Sequence, residues 1–355
     1  MRPCGAPIAL NSILVTQTKS QSAHWKAVRR LLVANLFWGL SFPAAKALTA
    51  VQASALPGRS TWFLSSLALV VRFAAAALVM LWISRGTVRQ LTRSELSQGV
   101  GLGLFAALGL VFQMDGLAHT AASTSAFLTQ CYCVIIPVWI AVVERRWPSS
   151  LTWVSCLLVI GGVGVLSGLD WRTLHLGRGE LETIIASVIF TGQILWLQRP
   201  SFAGNNVNHF SAVMFSVIAI ACVPVAAATT TRVSDWWVAW QTGASWVLVG
   251  ILFGFCTLGA YVLMNRWQPF LTSVQAGLIY CVEPVCASVF ALFLPAWFSR
   301  LGGIDYPNET LTNALWMGGS LVTAANVLIQ LEPTPKPPLE NTQTTSPELA
   351  SDTTW

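Results

Sequence analysis

Ten stretches of about twenty mostly apolar residues follow one another along this chain of 355 residues. A bilayer core about 30 Å thick requires roughly 20 apolar residues per helix, so each stretch is long enough to cross a membrane once. The sequence predicts an all-α integral membrane protein with ten transmembrane helices, over residues 29–49, 62–84, 96–115, 122–143, 150–168, 180–198, 209–229, 244–264, 270–294 and 311–330.

The composition is typical of a polytopic membrane protein. Hydrophobic residues make up 54% of the chain and charged residues 10%, whereas soluble proteins carry about 25% charged residues. The net charge is +6, but the basic residues lie in short groups between apolar stretches. We interpret them as orientation signals and expect no nucleic-acid partner. Cys131 and Cys133 fit neither a zinc site nor a disulfide framework, so we expect packing roles for the cysteines.

Both ends of the chain are polar. Residues 1–28 are irregular in pattern, and their apolar run is interrupted by Asn11 and Ser12 and lacks a signal-peptide cleavage site. The segment 331–355 is rich in Pro, Thr and Ser and cannot bury a core. The sequence predicts a disordered cytoplasmic extension at the N-terminus and a disordered cytoplasmic tail at the C-terminus.

Loop charges predict the orientation. With ten spans both termini share a side, and the loops on that side hold thirteen Lys and Arg residues against five on the other. Because basic loops are retained in the cytoplasm, this imbalance predicts cytoplasmic termini. Glu180 and Glu182 fall near the predicted outer side, where we expect them to be solvated.

The sequence is similar to itself when it is shifted by 148 residues, and we call this internal similarity the echo. The shift superposes Leu104 on Leu252, Thr124-Ser125 on Thr272-Ser273, and Tyr132-Cys133-Val134 on Tyr280-Cys281-Val282. The echo divides the chain into two five-helix repeats, 29–168 and 180–330. Since five is an odd number, the second repeat must enter the membrane in the opposite sense. Many secondary transporters have such inverted repeats, with the substrate site near the midplane between them.

Three charged residues lie inside apolar stretches: Lys46, Arg72 and Glu283. Such groups are costly in hydrocarbon and usually face a bundle interior or a water-filled cavity. Lys46 is near the predicted outer end of its helix, where its amine either snorkels to the interface or enters a cavity. Arg72 and Glu283 lie near the bilayer centre, and Pro284 is expected to break the helix beside Glu283.

Two interpretations of Arg72 and Glu283 stay open. In the structural one, they pair with each other or with backbone and hold the halves in register, as buried charges often do. In the functional one, Glu283 is a protonatable coupling site and Arg72 binds an anionic group.

Other side chains are candidates for lining a transport path, although aromatic residues in membrane helices are more often packing residues. Four share one face of the first helix at helical spacing: Asn35, Trp38, Phe42 and Lys46. Polar and aromatic candidates in later helices are Gln113, Gln130, Tyr132, Gln193, Trp196, Tyr261 and Tyr280. Glycines such as Gly101, Gly103 and Gly109 should let helices approach closely.

Enzyme chemistry has little support in the sequence. The four histidines fall at predicted loop positions, and no His or carboxylate cluster has metal-ligand spacing. The chain lacks a Gly-x-Ser-x-Gly elbow and a phosphate-binding Gly-rich loop. We therefore expect no catalytic residues, no metal and no cofactor.

Several segments resemble EamA-type members of the drug/metabolite transporter superfamily. These are LLVANLFWGLSFPAAKAL in the first helix, Arg72-Phe73 in the second, TAASTSAFLTQCYCVIIPVWIAVVERR around the fourth, GGVGVLSG ending the fifth and TSVQAGLIYCVEPV in the ninth. The resemblance covers most of 31–330. It implies ten helices in two inverted halves, cytoplasmic termini, and export or exchange of small metabolites across the inner (plasma) membrane. The long outer loop 295–310 and the terminal extensions depart from the family pattern.

The sequence as a whole predicts a secondary transporter that moves small metabolites, such as amino acids or related compounds, by alternating access. Its expected partners are the lipid bilayer, a small-molecule substrate and protons, in a monomer or homodimer. One alternative is a facilitative, channel-like permease without ion coupling. A more distant alternative is an integral membrane enzyme acting on lipid.

Overall fold

The computed structural model of the chain describes residues 7–143, 145, 147–166 and 177–330. Within these ranges the regular structure is helical, without a β-strand. The helices are α1 (Pro7–Ala55), α2 (Thr61–Ile83), α3 (Arg93–His119), α4 (Ala122–Thr129), α5 (Tyr132–Val143), α6 (Ser150–Leu166), α7 (Arg178–Leu197), α8 (Val207–Thr229), α9 (Asp235–Val238), α10 (Gly243–Ile251), α11 (Ala260–Trp267), α12 (Ser273–Tyr280), α13 (Glu283–Ala291), α14 (Leu294–Gly302) and α15 (Asn313–Gln330). A π-helical segment, Leu252–Gly259, joins α10 to α11.

Eight helical segments in the described part of the chain are long and apolar enough to cross a membrane. They coincide with eight of the predicted spans. The two remaining predictions, 150–168 and 311–330, fall on α6 and α15, which pack against each other. The prediction of an all-helical, multi-pass membrane protein is confirmed, and the arrangement of ten spans stays a prediction.

The first helix is longer than the predicted span 29–49. It begins at Pro7, within the segment expected to be irregular, because no Gly or Pro interrupts the chain before Gly39. Only the part Ala23–Ala55 is apolar enough to cross a membrane. The first six residues and the predicted tail at 331–355 lie outside the described residues.

Local capping signals determine where several helices begin. Thr92 and Glu95 form a reciprocal capping box at the start of α3, each side chain bonding the backbone N–H of the other. Thr272 and Gln275 form the same arrangement at the start of α12. Each box satisfies two backbone donors that the first turn of a helix leaves without partners.

The fourth and ninth predicted spans are each divided into two short helices. Residues 130–131 separate α4 from α5, and residues 281–282 separate α12 from α13. In the second case Pro284 has no N–H to donate to the Tyr280 carbonyl, so a regular helix cannot continue through this point. The break lies beside Glu283, at the position predicted from Pro284.

The divided spans give the spacing between corresponding helices. α12 begins 151 residues after α4, and both have eight residues. α13 likewise begins 151 residues after α5. This spacing exceeds the sequence echo of 148 residues by nearly one helical turn. The helix boundaries therefore match Tyr132 with Glu283 rather than with Tyr280.

Helices from the two predicted repeats pack against each other throughout the bundle. α2 packs on α8, α3 on α7 and α8, α1 on α11 and α13, and α4 on α7 and α13. Trp196, at the end of α7, donates to the Gln98 carbonyl near the start of α3. Gln198, just after α7, donates to the carbonyl of Leu271, which follows α11. The start of α3 and the end of α11 thus lie at the same end of the bundle. α3 and α11 therefore run through the bundle in opposite directions.

Close approach of α3 to α8 depends on glycine. A Cβ added to Gly103 would lie 2.6 Å from the Val217 Cβ and 2.9 Å from the Met214 carbonyl oxygen, which is closer than packed atoms approach. Gly101 and Gly109 face aromatic rings of α7 at similarly short range. These glycines lie at helix contacts, as their predicted packing role requires.

We expect Gly103→Ala to lower stability by about 1–3 kcal/mol, because the added methyl group overpacks the contact between α3 and α8. Thermal unfolding of the purified protein in detergent measures the change. Gly250→Ala is the matched control, since Gly250 is exposed on α10 with nothing within 4 Å of its added Cβ. Equal melting temperatures for the two variants would contradict the proposed contact.

Candidate functional site

A small cavity lies at the centre of the bundle, between helices of both predicted repeats. Its volume is about 70 Å³. One water occupies roughly 30 Å³ in the liquid, so the cavity is small. Its lining residues are Trp38, Ser41, Arg72, Leu110, Gln113, Met114, Thr129, Tyr132, Phe190, Gln193, Ile194, Tyr261, Met264, Tyr280 and Glu283.

Arg72 lies at the middle of α2, eleven residues from each end, and is 4% exposed. Its Nε donates to the Thr257 hydroxyl, and its Nη2 lies 3.4 Å from the Cys256 carbonyl oxygen. Both partners belong to the π-helical segment. The guanidinium carbon also lies 5.2 Å from the centre of the Phe73 ring, within cation–π range. A hydroxyl, a carbonyl and an aromatic ring thus stabilise this charge.

Glu283 is the first residue of α13 and is 7% exposed. The N-terminus of a helix carries partial positive charge, which stabilises a carboxylate in the first turn. The amide of Gln130 approaches the same carboxylate from the break between α4 and α5. Within the described residues no ion pair joins Glu283 to Arg72 or to another cation. Arg72 therefore contacts hydroxyl and backbone groups rather than Glu283, and both interpretations of the two charges stay predictions.

Aromatic rings form one wall of the cavity. The Trp38 ring lies edge-to-face against Tyr261 and Tyr280, with both pairs of ring centres 5.4 Å apart. Tyr132 continues the row, 6.5 Å from Tyr280. The Tyr280 hydroxyl donates to the Gln268 side chain at 2.7 Å, which fixes the orientation of its ring. Such ring faces attract cations.

Amide side chains from α3 and α7 contribute the other polar groups. Gln113 donates to the Thr129 hydroxyl at 2.9 Å, so its donor is satisfied within the protein. Gln193 is 4% exposed, and its amide nitrogen has no hydrogen-bond partner among the described residues. A buried donor without a partner is costly, so Gln193 is available to bind a ligand.

The cavity brings together eight of the thirteen predicted site residues: Trp38, Arg72, Gln113, Tyr132, Gln193, Tyr261, Tyr280 and Glu283. The other five lie outside its lining. Asn35 donates to the Leu31 and Ile279 carbonyls and joins α1 to α12. Phe42 is 1% exposed in the packed core, and Gln130 is fully buried at the break between α4 and α5.

Lys46 and Trp196 lie toward opposite ends of the bundle. Lys46 donates to the Thr120 carbonyl at 2.5 Å, at the predicted outer end. The amine of Lys46 thus contacts the backbone at the end of α3 and does not line the central cavity. Trp196 packs beneath the Arg199 guanidinium, 4.0 Å from ring centre to guanidinium carbon, at the predicted cytoplasmic end.

Sequence reasoning missed the residues that hold Arg72 and several that complete the lining. Thr257 carried a usable signal, since it is a hydroxyl residue within an apolar span that needed a polar partner. The apolar lining residues Leu110, Met114, Phe190, Ile194 and Met264 carried none, because nothing in their pattern separates them from lipid-facing neighbours.

A polar network lies at the predicted outer end of the bundle, around Asp115, whose side chain is fully buried. Asp115 accepts hydrogen bonds from Thr61 and from Arg178, both at 2.5 Å. Arg178 also pairs with Glu182 at 2.9 Å, and Thr120 donates to Glu180 at 2.6 Å. The expectation that both glutamates are simply solvated was wrong, because α3 and α7 hold them in this network.

A second polar network lies at the predicted cytoplasmic end. Glu95, at the start of α3, lies 3.1 Å from His209 and accepts a bond from the Asn206 backbone N–H at 2.9 Å. The other ring nitrogen of His209 lies 2.9 Å from the Thr87 hydroxyl. This network joins α8 to α3 and to the loop after α2. Each predicted end of the bundle therefore carries a polar network that joins α3 to a helix of the second predicted repeat.

Membrane-crossing helices around a central cavity with charged side chains are typical of multi-pass membrane transporters. Comparison with known proteins agrees and confirms the resemblance to EamA-type transporters of the drug/metabolite transporter superfamily. Residues 25–168 match the EamA-like transporter family. An uncharacterized transporter from Archaeoglobus fulgidus is 25% identical over 307 residues, which cover 85% of this chain and 84% of that protein. One protein crystal structure has the same fold, with a TM-score of 0.60 and 17% identity over 87% of this chain and 98% of that one.

Replacing the hydroxyl partner of Arg72 should destabilise the protein. We expect Thr257→Val to lower stability by about 1.5–3 kcal/mol, the usual contribution of a hydrogen bond to a charged group. Thermal unfolding in detergent measures the loss. Thr257→Ser keeps the hydroxyl and should retain most of the stability. If both variants unfold at the same temperature, the bond from Arg72 does not contribute.

Proposed function

We propose that this protein is a secondary transporter that exports or exchanges small metabolites, such as amino acids and related compounds, across the inner membrane by alternating access. The observation that carries the proposal is the central cavity, which contains an acidic and a basic side chain that do not pair with each other. Glu283 comes from the second predicted repeat and Arg72 from the first. A site whose walls belong to both repeats changes its access when the repeats move against each other.

The pattern of helix contacts supports two equivalent repeats. In two equivalent repeats, each span of the first corresponds to the span five positions later. Under this correspondence the contact of α3 with α7 becomes the contact of α10 and α11 with α1, and both contacts are present. The contact of α4 with α7 likewise becomes the contact of α12 and α13 with α1. The contacts of α2 with α8 and of α6 with α15 each correspond to themselves. The opposite directions of α3 and α11 fit repeats inserted in opposite senses, as five helices per repeat require.

We propose that the two polar networks at the ends of the bundle close the cavity, and we call them the outer and the cytoplasmic closure. Each joins α3 of the first repeat to a helix of the second, α7 at the predicted outer end and α8 at the predicted cytoplasmic end. In the proposed cycle one closure opens while the other stays intact, and the cavity is exposed to one side at a time. A channel-like permease would require both closures to open together.

Glu283 is the proposed coupling residue. Its carboxylate lies at the cavity without a cationic partner in the described structure, whereas Arg72 is held by the π-helical segment. Taking up a proton neutralises this buried charge, so protonation changes the free energy of the closed cavity. The energy of a proton gradient would enter the cycle at this residue.

The transport test uses purified protein in proteoliposomes with labelled amino acids, with and without an imposed pH gradient. We expect the gradient to raise the wild-type flux and to leave the flux of Glu283→Gln unchanged. Asp305→Asn alters an exposed loop carboxylate and should behave as wild type. A wild-type flux that ignores the gradient would favour the uncoupled permease, and no flux of any metabolite would remove the transport proposal.

Weakening the outer closure should expose the cavity to the predicted outer side. We expect Asp115→Asn to raise the labelling rate of a cysteine placed at Ser41 roughly tenfold, because a bias of about 1.4 kcal/mol toward the open state has this effect. The measurement uses a membrane-impermeant thiol reagent in a background without native cysteines. Arg232→Gln, an exposed loop change, is the control. Unchanged labelling in Asp115→Asn would show that this network is not the outer closure.

A further inference from the structure

We infer that an anionic phospholipid binds to the side of the bundle at its predicted cytoplasmic end. Its phosphate lies at Arg199 and Arg266, and one acyl chain lies in an apolar groove between α5 and α7. This site uses none of the residues that line the central cavity. The inference requires that the chain lies in a membrane, and it does not depend on what the protein transports.

The groove, which we call the lateral groove, lies between α5, α7 and the start of α12 and has a volume of about 920 Å³. Val188, Leu195 and Arg199 line it at helical spacing, along α7 and just beyond its end. The eleven residues from Val188 to Arg199 rise by about 16 Å. Half of a bilayer core is about 15 Å thick. The lateral groove therefore extends over about one leaflet.

The walls of the lateral groove present apolar side chains that the bundle does not cover. Trp139 on α5 and Val188 on α7 are each about half exposed, and Trp147, before α6, is mostly exposed. All three line the groove. Within a membrane the neighbours of such side chains are acyl chains, and van der Waals packing favours a chain that fits between the walls.

A recess with two arginines adjoins the end of the lateral groove, and we call it the basic recess. Its volume is about 750 Å³, and Arg199 and Arg266 both line it. Arg199 also lines the lateral groove, so the two openings meet at this side chain. Among the described residues, neither lining includes an Asp or a Glu. The charge of the two arginines is therefore complementary to an anion.

Stacking holds Arg199 in an orientation that suits a phosphate. Its guanidinium carbon lies 4.0 Å from the centre of the Trp196 ring. A guanidinium that stacks on a ring keeps the N–H groups at its edge, and these groups bind two phosphate oxygens at once. In the described part of the chain neither Arg199 nor Arg266 forms an ion pair. Both charges are thus available to a headgroup.

The two openings together select an anionic lipid over other ligands. A soluble phosphate compound would bind the arginines and leave the lateral groove empty. A zwitterionic lipid would fill the groove and offer the arginines no net negative charge. The predicted orientation places the site in the cytoplasmic leaflet, where anionic lipids are found. Each arginine near a membrane surface strengthens the binding of an anionic lipid by about fivefold.

The test is native mass spectrometry of the purified full-length protein with palmitoyl-oleoyl phosphatidylglycerol and phosphatidylcholine, whose acyl chains are identical. We expect the first phosphatidylglycerol to bind more than about tenfold more tightly than phosphatidylcholine, because two arginines contribute. Glycerol 3-phosphate, which has no acyl chain, should not bind at these concentrations. Equal affinity for the two lipids would overturn the inference, and so would binding of glycerol 3-phosphate as tight as that of the lipid.

Substitutions of the arginines test the position of the phosphate. Arg199→Gln and Arg266→Gln should each lower the preference for phosphatidylglycerol by about fivefold. Arg85→Gln is the matched control, since Arg85 also stacks on a tryptophan, Trp82, and lines neither opening. If Arg85→Gln lowers the preference as much as Arg199→Gln does, the lipid responds to general surface charge and the assigned site is refuted.

A substitution in the lateral groove tests the position of the acyl chain. Val188→Trp fills the groove from an exposed position and should remove most of the affinity for both lipids. Ile220→Trp, at an exposed position of α8 outside the groove, should bind lipid as the wild type does. Unchanged affinity in Val188→Trp contradicts the placement. A lipid-free dimer that Val188→Trp dissociates would assign the groove to a second copy of the chain and refute the lipid site.

Discussion

The bundle depends on the way in which it stabilises one positive charge at its centre. Arg72 lies eleven residues from each end of α2, so it is about 16 Å along the helix from either end, too far for its side chain to reach water. The π-helical turn opposite presents the Thr257 hydroxyl and the Cys256 carbonyl to it. π-Helical turns frequently occur at functional sites. Here the π-helical segment between α10 and α11 provides acceptors to the charge of Arg72 without a carboxylate. Glu283 therefore lies at the cavity without an ion pair to Arg72.

The broken helices have a related consequence. α4 and α12 both end after eight residues, and the helix that follows each break begins at a cavity residue, Tyr132 in α5 and Glu283 in α13. A residue in the first turn of a helix lies at the positive end of the helix dipole, which a residue in the middle of a continuous helix does not. The breaks thus place a carboxylate in a polar environment within an apolar bundle. The matching positions of Tyr132 and Glu283 indicate that one framework carries different chemistry in the two halves.

Sequence could predict the features that depend on composition and local geometry. The lengths of the apolar stretches predicted the membrane helices, and Pro284 predicted the break beside Glu283. The cost of burying a charge predicted that Arg72 and Glu283 face the interior. It could not predict that Arg72 binds Thr257, because that contact depends on how α2 and the π-helical segment are packed. For the same reason Asn35 and Phe42, on the same face of α1 as Trp38, were expected at the cavity although they pack against neighbouring helices. Residues on one face of a helix either contact a neighbouring helix or line a cavity, and their spacing alone does not distinguish the two.

The separation of Arg72 and Glu283 has an energetic reason. A direct ion pair at the bilayer centre would satisfy both groups and close the cavity to charged ligands, because any ligand would first have to break the pair. In this structure neutral dipoles stabilise each charge, the hydroxyl and carbonyl groups for Arg72 and the helix N-terminus for Glu283. Dipoles stabilise a buried charge less than an opposite charge does. Under the proposed function, this arrangement makes the charges tolerable in the empty state and leaves each group free to bind a substrate charge of opposite sign.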